Sequence, residues 1–298
     1  MNTFLKQKDS FSNYIQNERR LSIHTLTSYQ TDLNQFQDFL EQTFRHSNFS
    51  EAQHNEIRMW MVELKDKGIS NRSINRKISS LKTFYKFLLT QQVIEANPML
   101  KVISPKDSKK LPVYFEQKML NQLFNSDNFT NDFLGTRDIL ILELLYGTGM
   151  RLSELINIKE SDINNNELKV IGKGNKERIL PITENIKSFL PLYLEMRNEA
   201  FTQEKFDYLL CTNSGNKLYE KFVYRLVNHY LGLVTNEKKR SPHTMRHSFA
   251  TNMLNNGAQL HTIKEILGHA NLSATQVYTH NSIERLKDTY KKFHPKEN

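Results

Sequence analysis

Cysteine is almost missing from this chain. The 298 residues hold one, Cys211, which excludes an internal disulfide and suits a reducing compartment. Beside Leu209 and Leu210 it reads as a small buried apolar side chain. Long apolar runs are missing as well. None approaches the roughly 18 residues of a spanning helix, so no membrane insertion is expected. The first residues are polar, with Lys6, Lys8 and Asp9, and lack a signal-peptide core, so the expected location is the cytoplasm. Metal signatures do not occur. Of the ten histidines, His243, His247, His269 and His280 are dispersed, with neither His-Glu-x-x-His nor a paired-cysteine motif. Gly172-Lys173-Gly174 lacks Walker P-loop spacing, and paired-carboxylate nuclease motifs are not evident. No metal or cofactor is expected.

Positive charge is in excess. The formal net charge is +9 and the pI about 9.4. This points to an acidic partner, nucleic acid first, and on charge alone equally to a merely basic soluble protein. The length accommodates two domains.

Residues 1–103 carry four amphipathic helical patterns. The first, near residues 3–18, is the weakest. The second starts at Ser22 as N-cap and repeats Leu26, Tyr29, Leu33, Phe36 and Leu40. The third carries Ile57, Trp60, Met61 and Leu64 and stops at Gly68. The fourth begins after Ser70, with Ile74, Ile78, Leu81, Tyr85 and Leu88 on one stripe. At 100° per residue, Arg72, Arg76, Ser79, Thr83 and Lys86 fall on the other face. Arginine and lysine among hydroxyls suit phosphate and base-edge contacts in a major groove; an ordinary solvated basic face is the alternative. Asn97-Pro98 is expected to end this helix. Residues 104–112, with Pro105, Lys106, Lys109, Lys110 and Pro112, read as an extended linker.

Residues 113–298 form the second expected domain. A helix near 116–125 precedes a buried one from Asp132 to Tyr146, apolar nearly all round, which Gly147-Thr148-Gly149 ends. Arg151 follows directly, so its charge is pre-placed by rigid structure. Glu154, three residues on, is placed to orient this arginine or a neighbour. Residues 167–182 read as a β-hairpin with Lys173 between glycines at its tip. A helix near 184–199, a short strand at Tyr208 to Cys211 and a helix near 218–232 come next. The basic run Lys238, Lys239, Arg240 precedes a helix whose buried side reads as Phe249, Ala250, Met253 and Leu254. The tail stripe Ile283, Leu286, Tyr290 and Phe293 packs on its own domain or on a partner.

Chemistry concentrates between His243 and Tyr278. His243 and Arg246 are three apart on one helical face. An imidazole beside a guanidinium can grip a phosphate while moving a proton. A tyrosine phenol, with a pKa near 10, needs such cationic help to act as a nucleophile.

The ordered segments Pro242-His243-Thr244-Met245-Arg246-His247-Ser248-Phe249-Ala250-Thr251, Leu267-Gly268-His269 and Val277-Tyr278-Thr279-His280 resemble the tyrosine recombinases, close to the Xer subgroup of XerC or XerD type, over nearly the whole chain. The resemblance implies a mainly α fold with a small β-sheet: a two-domain C-shaped DNA clamp with an N-terminal helical core-binding (SAM-like) domain and a C-terminal α+β catalytic domain. It implies cleavage and rejoining of DNA through a 3′-phosphotyrosyl link, with neither ATP nor metal, in chromosome dimer resolution. Tyr278 is then the nucleophile, Arg151, Arg246 and His269 stabilise the phosphoryl oxygens, His243 accepts the tyrosine proton and Lys173 protonates the departing 5′-oxygen. Arg72, Arg76 and Lys86 are the candidate DNA contacts of the first domain. Lys176 and Arg178 are the nearby alternatives to Lys173, with DNA-backbone or structural contacts as their expected place in the second. The implied partners are a double-stranded recombination site, a tetrameric synapse with itself or a second related recombinase, and a septal DNA translocase as activator. Asn252 stands where many relatives carry His. Three other readings stay open: a phage or mobile-element integrase, a non-catalytic DNA-binding regulator, and a type IB topoisomerase. The clamp pattern starting within the first twenty residues argues against the integrase layout with an added arm-binding domain.

Overall fold

The computed structural model describes residues 3–19, 21–107, 113–164, 167–172, 177–202, 206–268 and 288–296. It divides into two compact units, Met1–Lys110 and Leu111–Asn298, mainly helical, with one three-stranded sheet in the second.

The first unit packs α1 (Thr3–Asn13), α2 (Ile23–Phe44), α3 (His54–Asp66) and α4 (Asn71–Thr90). α1 runs on into a wider π-helical turn at Tyr14–Glu18. Ser22 and Ser70 cap α2 and α4 as the sequence predicts. Each side-chain oxygen accepts the N–H three residues on, from Thr25 and Ser73. α3 stops before Gly68, which takes φ +77. The α4 stripe of Ile74, Ile78, Leu81, Tyr85 and Leu88 is fully buried, each side chain contributing about 1.5–3 kcal/mol by leaving water. Phe49 anchors the core, edge-on to Phe4 at 4.7 Å and to Phe84 at 4.9 Å. Asn97-Pro98 does not end α4, which stops at Thr90. The Asn97 side chain instead caps a short 3₁₀ turn, Pro98–Lys101, where proline is favoured at the first position. Asn71 and Asn75 of α4 then donate to the carbonyls of Lys106 and Pro105, fastening that backbone to the first unit.

The second unit is built around α6 (Phe133–Thr148), capped by Asp132 through the Gly135 N–H at 2.8 Å. Ile139 to Leu142 and Leu144 to Tyr146 are all buried, so α6 is the central helix its all-round apolar run predicts. Around it stand α5 (Gln117–Leu123), α7 (Leu152–Leu155), α8 (Glu184–Ala200), α9 (Glu220–Val234), α10 (Pro242–Asn255) and α11 (Leu260–Leu267). The antiparallel sheet runs β1 (Ile163–Asn164), β2 (Glu167–Ile171), β3 (Glu177–Pro181), with Leu168 facing Leu180 and Ile171 facing Glu177. The expected strand at Tyr208 to Cys211 reduces to one bridge, Cys211 with Lys217, because this stretch meets no neighbouring strand beyond that rung. Cys211 is buried, its sulfur 3.6 Å from the Tyr193 hydroxyl. Leu254 departs from the predicted buried side of α10 and is 48 % exposed, while Arg246, Ser248 and Asn252 are buried in addition to Phe249 and Met253. Polar groups fill that side because they have partners. Ser248 accepts the Phe115 N–H, and Asn252 donates to the Phe115 carbonyl and the Tyr146 hydroxyl.

Residues 288–296 pack on this same unit, 288–293 as a helical turn. The Tyr290 hydroxyl donates to the Gly147 carbonyl, Asn256 to the Phe293 carbonyl, and Lys296 pairs with the buried Glu143. Ile283 and Leu286 of the predicted tail stripe lie outside the described residues.

Candidate active site

The end of α6 fixes the first candidate. Gly149 is left-handed, φ +63, and a Cβ there would stand 2.4 Å from the Phe249 ring on α10. Only glycine allows both the turn and this contact. Two residues later Arg151 caps α7. Its backbone N–H donates to Glu154 Oε2 at 2.6 Å and its Nη1 to Oε1 at 2.9 Å. Its Nη2 reaches the Gly268 carbonyl at 3.0 Å.

Arg246 rises from α10, which starts at Pro242 and is capped by Ser241. Its Nη1 donates to the Gly149 carbonyl at 2.6 Å, and its Nη2 to the Leu267 carbonyl. His243, one turn earlier on α10, is exposed. His247 is half-buried, and burial, then the charge of His243, lowers its pKa. Both favour the neutral form of His247.

Arg178, on β3, completes the arrangement. Its Nη1 and Nη2 donate to Glu154 at 2.6 and 2.7 Å, and its Nε to the Ile266 carbonyl at 3.1 Å. Its side chain is 6 % exposed, and these bonds turn its donors towards Glu154 and α11. Arg178, Arg246 and Arg151 thus hold three successive carbonyls, Ile266, Leu267 and Gly268, at the C-terminus of α11. The last carbonyls of a helix lack intrahelical donors and form its negative end, so guanidiniums settle there.

One carboxylate balances this cluster. Burial pushes the Glu154 carboxyl up, but the bonds and charge of Arg178, then the Arg151 N–H groups, outweigh it and hold its pKa low. Arg246 is pushed down to about 9, first by burial, then by the charges of Arg151 and Arg178. Three guanidiniums around a single carboxylate leave net positive charge where a phosphate would be stabilised. Lys173, Lys176, His269 and Tyr278 lie outside the described residues. The structure brings together Arg151, Arg246 and Arg178, with His243 on the same helix as Arg246.

On α4, Arg72, Ser79 and Lys86 are exposed. The Arg76 side chain is 50 % exposed and is held by Asp32 of α2 through Nη1 and Nη2. Asp32 is fully buried and accepts from Lys77 at 2.9 Å and Ser80 at 2.7 Å as well. Sequence reading had passed over Asp32 and Lys77. The signal was there: Asp32 sits between Tyr29 and Phe36 on the apolar side of α2, where a carboxylate needs cationic partners.

Residues 114–285 match the phage integrase family, and residues 9–92 match the phage integrase N-terminal SAM-like domain. The chain is 38 % identical over 296 residues to the tyrosine recombinase XerC of Listeria welshimeri, covering 98 % of each protein. It is 39 % identical over 297 residues to the tyrosine recombinase XerC of Staphylococcus carnosus, again covering 98 % of each. In fold it is similar to the XerH site-specific recombinase bound to a palindromic difH substrate, with a TM-score of 0.72 and 21 % identity over 95 % of this chain and 84 % of that one. It is similar also to the Tn1549 transposon integrase in complex with circular intermediate DNA, with a TM-score of 0.67 and 21 % identity over 94 % of this chain and 98 % of that one.

Proposed function

The chain belongs to the phage integrase family and is a site-specific tyrosine recombinase that cuts and rejoins DNA, and on that premise we propose that Tyr278 is its nucleophile, working with Arg151, Lys173, His243, Arg246 and His269. The observation that carries this reading is the convergence of Arg151 and Arg246 on the end of α11, at Gly268 and Leu267, directly before His269 in sequence. Both arginines keep N–H groups beyond those given to the carbonyls, since each guanidinium has five. In the proposed step the Tyr278 oxygen attacks phosphorus while the bond to the 5′-oxygen breaks. The phenolic proton goes to His243 and the 5′-oxygen takes one from Lys173. Arg151, Arg246 and His269 hold the phosphoryl oxygens as their charge grows. One phosphoester replaces another, and the reverse steps rejoin a strand.

The SAM-like unit grips the duplex through Arg72, Arg76 and Lys86 of α4, with residues 104–112 as the linker and 113–298 as the catalytic domain. Lys176, three residues after Lys173 in sequence, is a further phosphate contact. The biological task is resolution of chromosome dimers in the cytoplasm at cell division. The working assembly is a tetrameric synapse on two DNA sites, with itself or a second related recombinase, and a septal DNA translocase as activator. The similarity to proteins named XerC over the full chain supports this.

The test is a nicked suicide duplex carrying the chromosome's candidate dimer-resolution site, incubated in EDTA with wild type or Tyr278→Phe. A covalent adduct with wild type alone is expected on a denaturing gel. An undiminished adduct with Tyr278→Phe would remove Tyr278 as nucleophile.

A further inference from the structure

The proposed chemistry leaves Arg178 without a role, yet its surroundings are unusually specific. It sits on the second rung of the hairpin from the tip, opposite Val170, with the Ile171–Glu177 rung between it and the loop that holds Lys173. It is bidentate to Glu154, whose oxygens also take the backbone N–H and Nη1 of Arg151. Its Nε holds the Ile266 carbonyl. Its stem closes under Gly268, where an added Cβ would stand 3.1 Å from Arg178 Cδ and 3.2 Å from Nη1. One buried side chain thus joins the tip-side end of the hairpin, the acid that bonds Arg151, and the last turn of α11 before His269.

We propose that Arg178 is a positioning residue for cleavage: through Glu154 it sets the plane of the Arg151 guanidinium, and through Ile266 and Gly268 it sets the end of α11, without touching DNA. Geometry supports the fork over a simple charge. Two parallel N–H···O bonds fix orientation, which a lysine ammonium at the same place cannot do. Without Arg178, Glu154 would keep only its bonds from Arg151 among those described, and the plane of its carboxylate, on which Arg151 Nη1 is seated, would no longer be fixed from a second side. The inference rests on the reading of Arg151 as a site residue.

The experiment compares Arg178→Met, Arg178→Lys, Glu154→Gln and the double variant Arg178→Met with Glu154→Gln, using the full chain on the suicide duplex. Adduct formation by wild type, and none by Tyr278→Phe, first establishes the tyrosine chemistry; if wild type forms no adduct, the function reading fails and not this one. DNA affinity and its salt dependence are measured alongside the single-turnover cleavage rate at saturating protein. Unchanged affinity and salt slope are expected, with cleavage about 100-fold slower in Arg178→Met, the scale of a misplaced catalytic group. Arg178→Lys restores the charge but recovers little. Glu154→Gln shows a comparable defect, and the double variant is no slower than the worse single, because the two act as one unit. Should Arg178→Met not fold, Arg178→Lys and Glu154→Gln carry the same comparison of rate against affinity. The inference is overturned if the Arg178 variants cleave bound DNA at the wild-type rate, or if they lose affinity with a salt slope lower by about one, the mark of a phosphate contact.

Discussion

Asp32 in the first unit and Glu154 in the second are both buried carboxylates surrounded by cations, and the origin of those cations differs. Asp32 draws Arg76, Lys77 and Ser80 from one helix, α4, within a single turn. Glu154 draws Arg151 from three residues away and Arg178 from a strand, and Arg178 reaches on to α11. The first arrangement ties one helix to another and leaves a guanidinium half in water at the surface. The second ties a helix start, a hairpin and a helix end, and encloses its arginine. A surface for binding can be made from one regular element. A site that reorganises charge on a phosphorus atom needs groups from several, and one acid whose two oxygens are shared among them.

Removing Glu154 tests this contrast most severely. Glu154→Ala leaves Arg178 buried with, among the described residues, only the Ile266 carbonyl as acceptor, and stability is expected to fall by about 3–5 kcal/mol. Chemical denaturation followed by circular dichroism checks it; a loss under 1 kcal/mol would mean that the enclosed cluster contributes no more than a surface pair. Asp32→Ala should cost less, about 3 kcal/mol, because Arg76 can turn to water while Lys77, 7 % exposed, cannot. The only tryptophan, Trp60, is buried in the first unit, so its fluorescence reads this loss directly. A third test concerns pH. Burial, then the charge of Lys296, pushes His294 down to about 3 from its ordinary 6.5. The unfolded chain therefore binds the extra proton between those values, so stability is full above pH 6.5 and falls as pH drops towards 3. Between pH 6.5 and 5 this contributes a loss of about 2 kcal/mol, which His294→Gln should abolish in a denaturation series. The smallest effect is at the surface. Arg76→Ala should lower DNA affinity several-fold and the salt slope by about one or less, in titrations at varied salt; a larger change in cleavage rate at saturation than in affinity would erase the distinction between the two units.

Much of this was legible beforehand. The stripe on α4, the buried run of α6, the serine caps and the presence of the hairpin follow from periodicity and capping chemistry, which are local. Arg151 and Arg246 could be named because they sit beside tight structure, after Gly149 and on the helix of His243. The place of Arg178 could not be read, since it depends on β3 and α11 meeting across 88 positions of sequence. Asn97 misled for the opposite reason. A residue before proline avoids helix geometry wherever it lies, and the pair marked the start of a short turn instead of the end of a long helix. The strand expected at Tyr208 to Cys211 had the composition but not the neighbour.

The contact between Gly149 and Phe249 has a genetic consequence. Arg151 lies two residues after the glycine and Arg246 three before the phenylalanine, so the spacing of the two guanidiniums is set by an atom that is not there. Asparagine tolerates the left-handed backbone but still brings a Cβ to 2.4 Å from the ring. In a saturation library, position 149 should therefore accept change only alongside a smaller residue at 249. Even then the pair should survive as a folded protein before it survives as a recombinase.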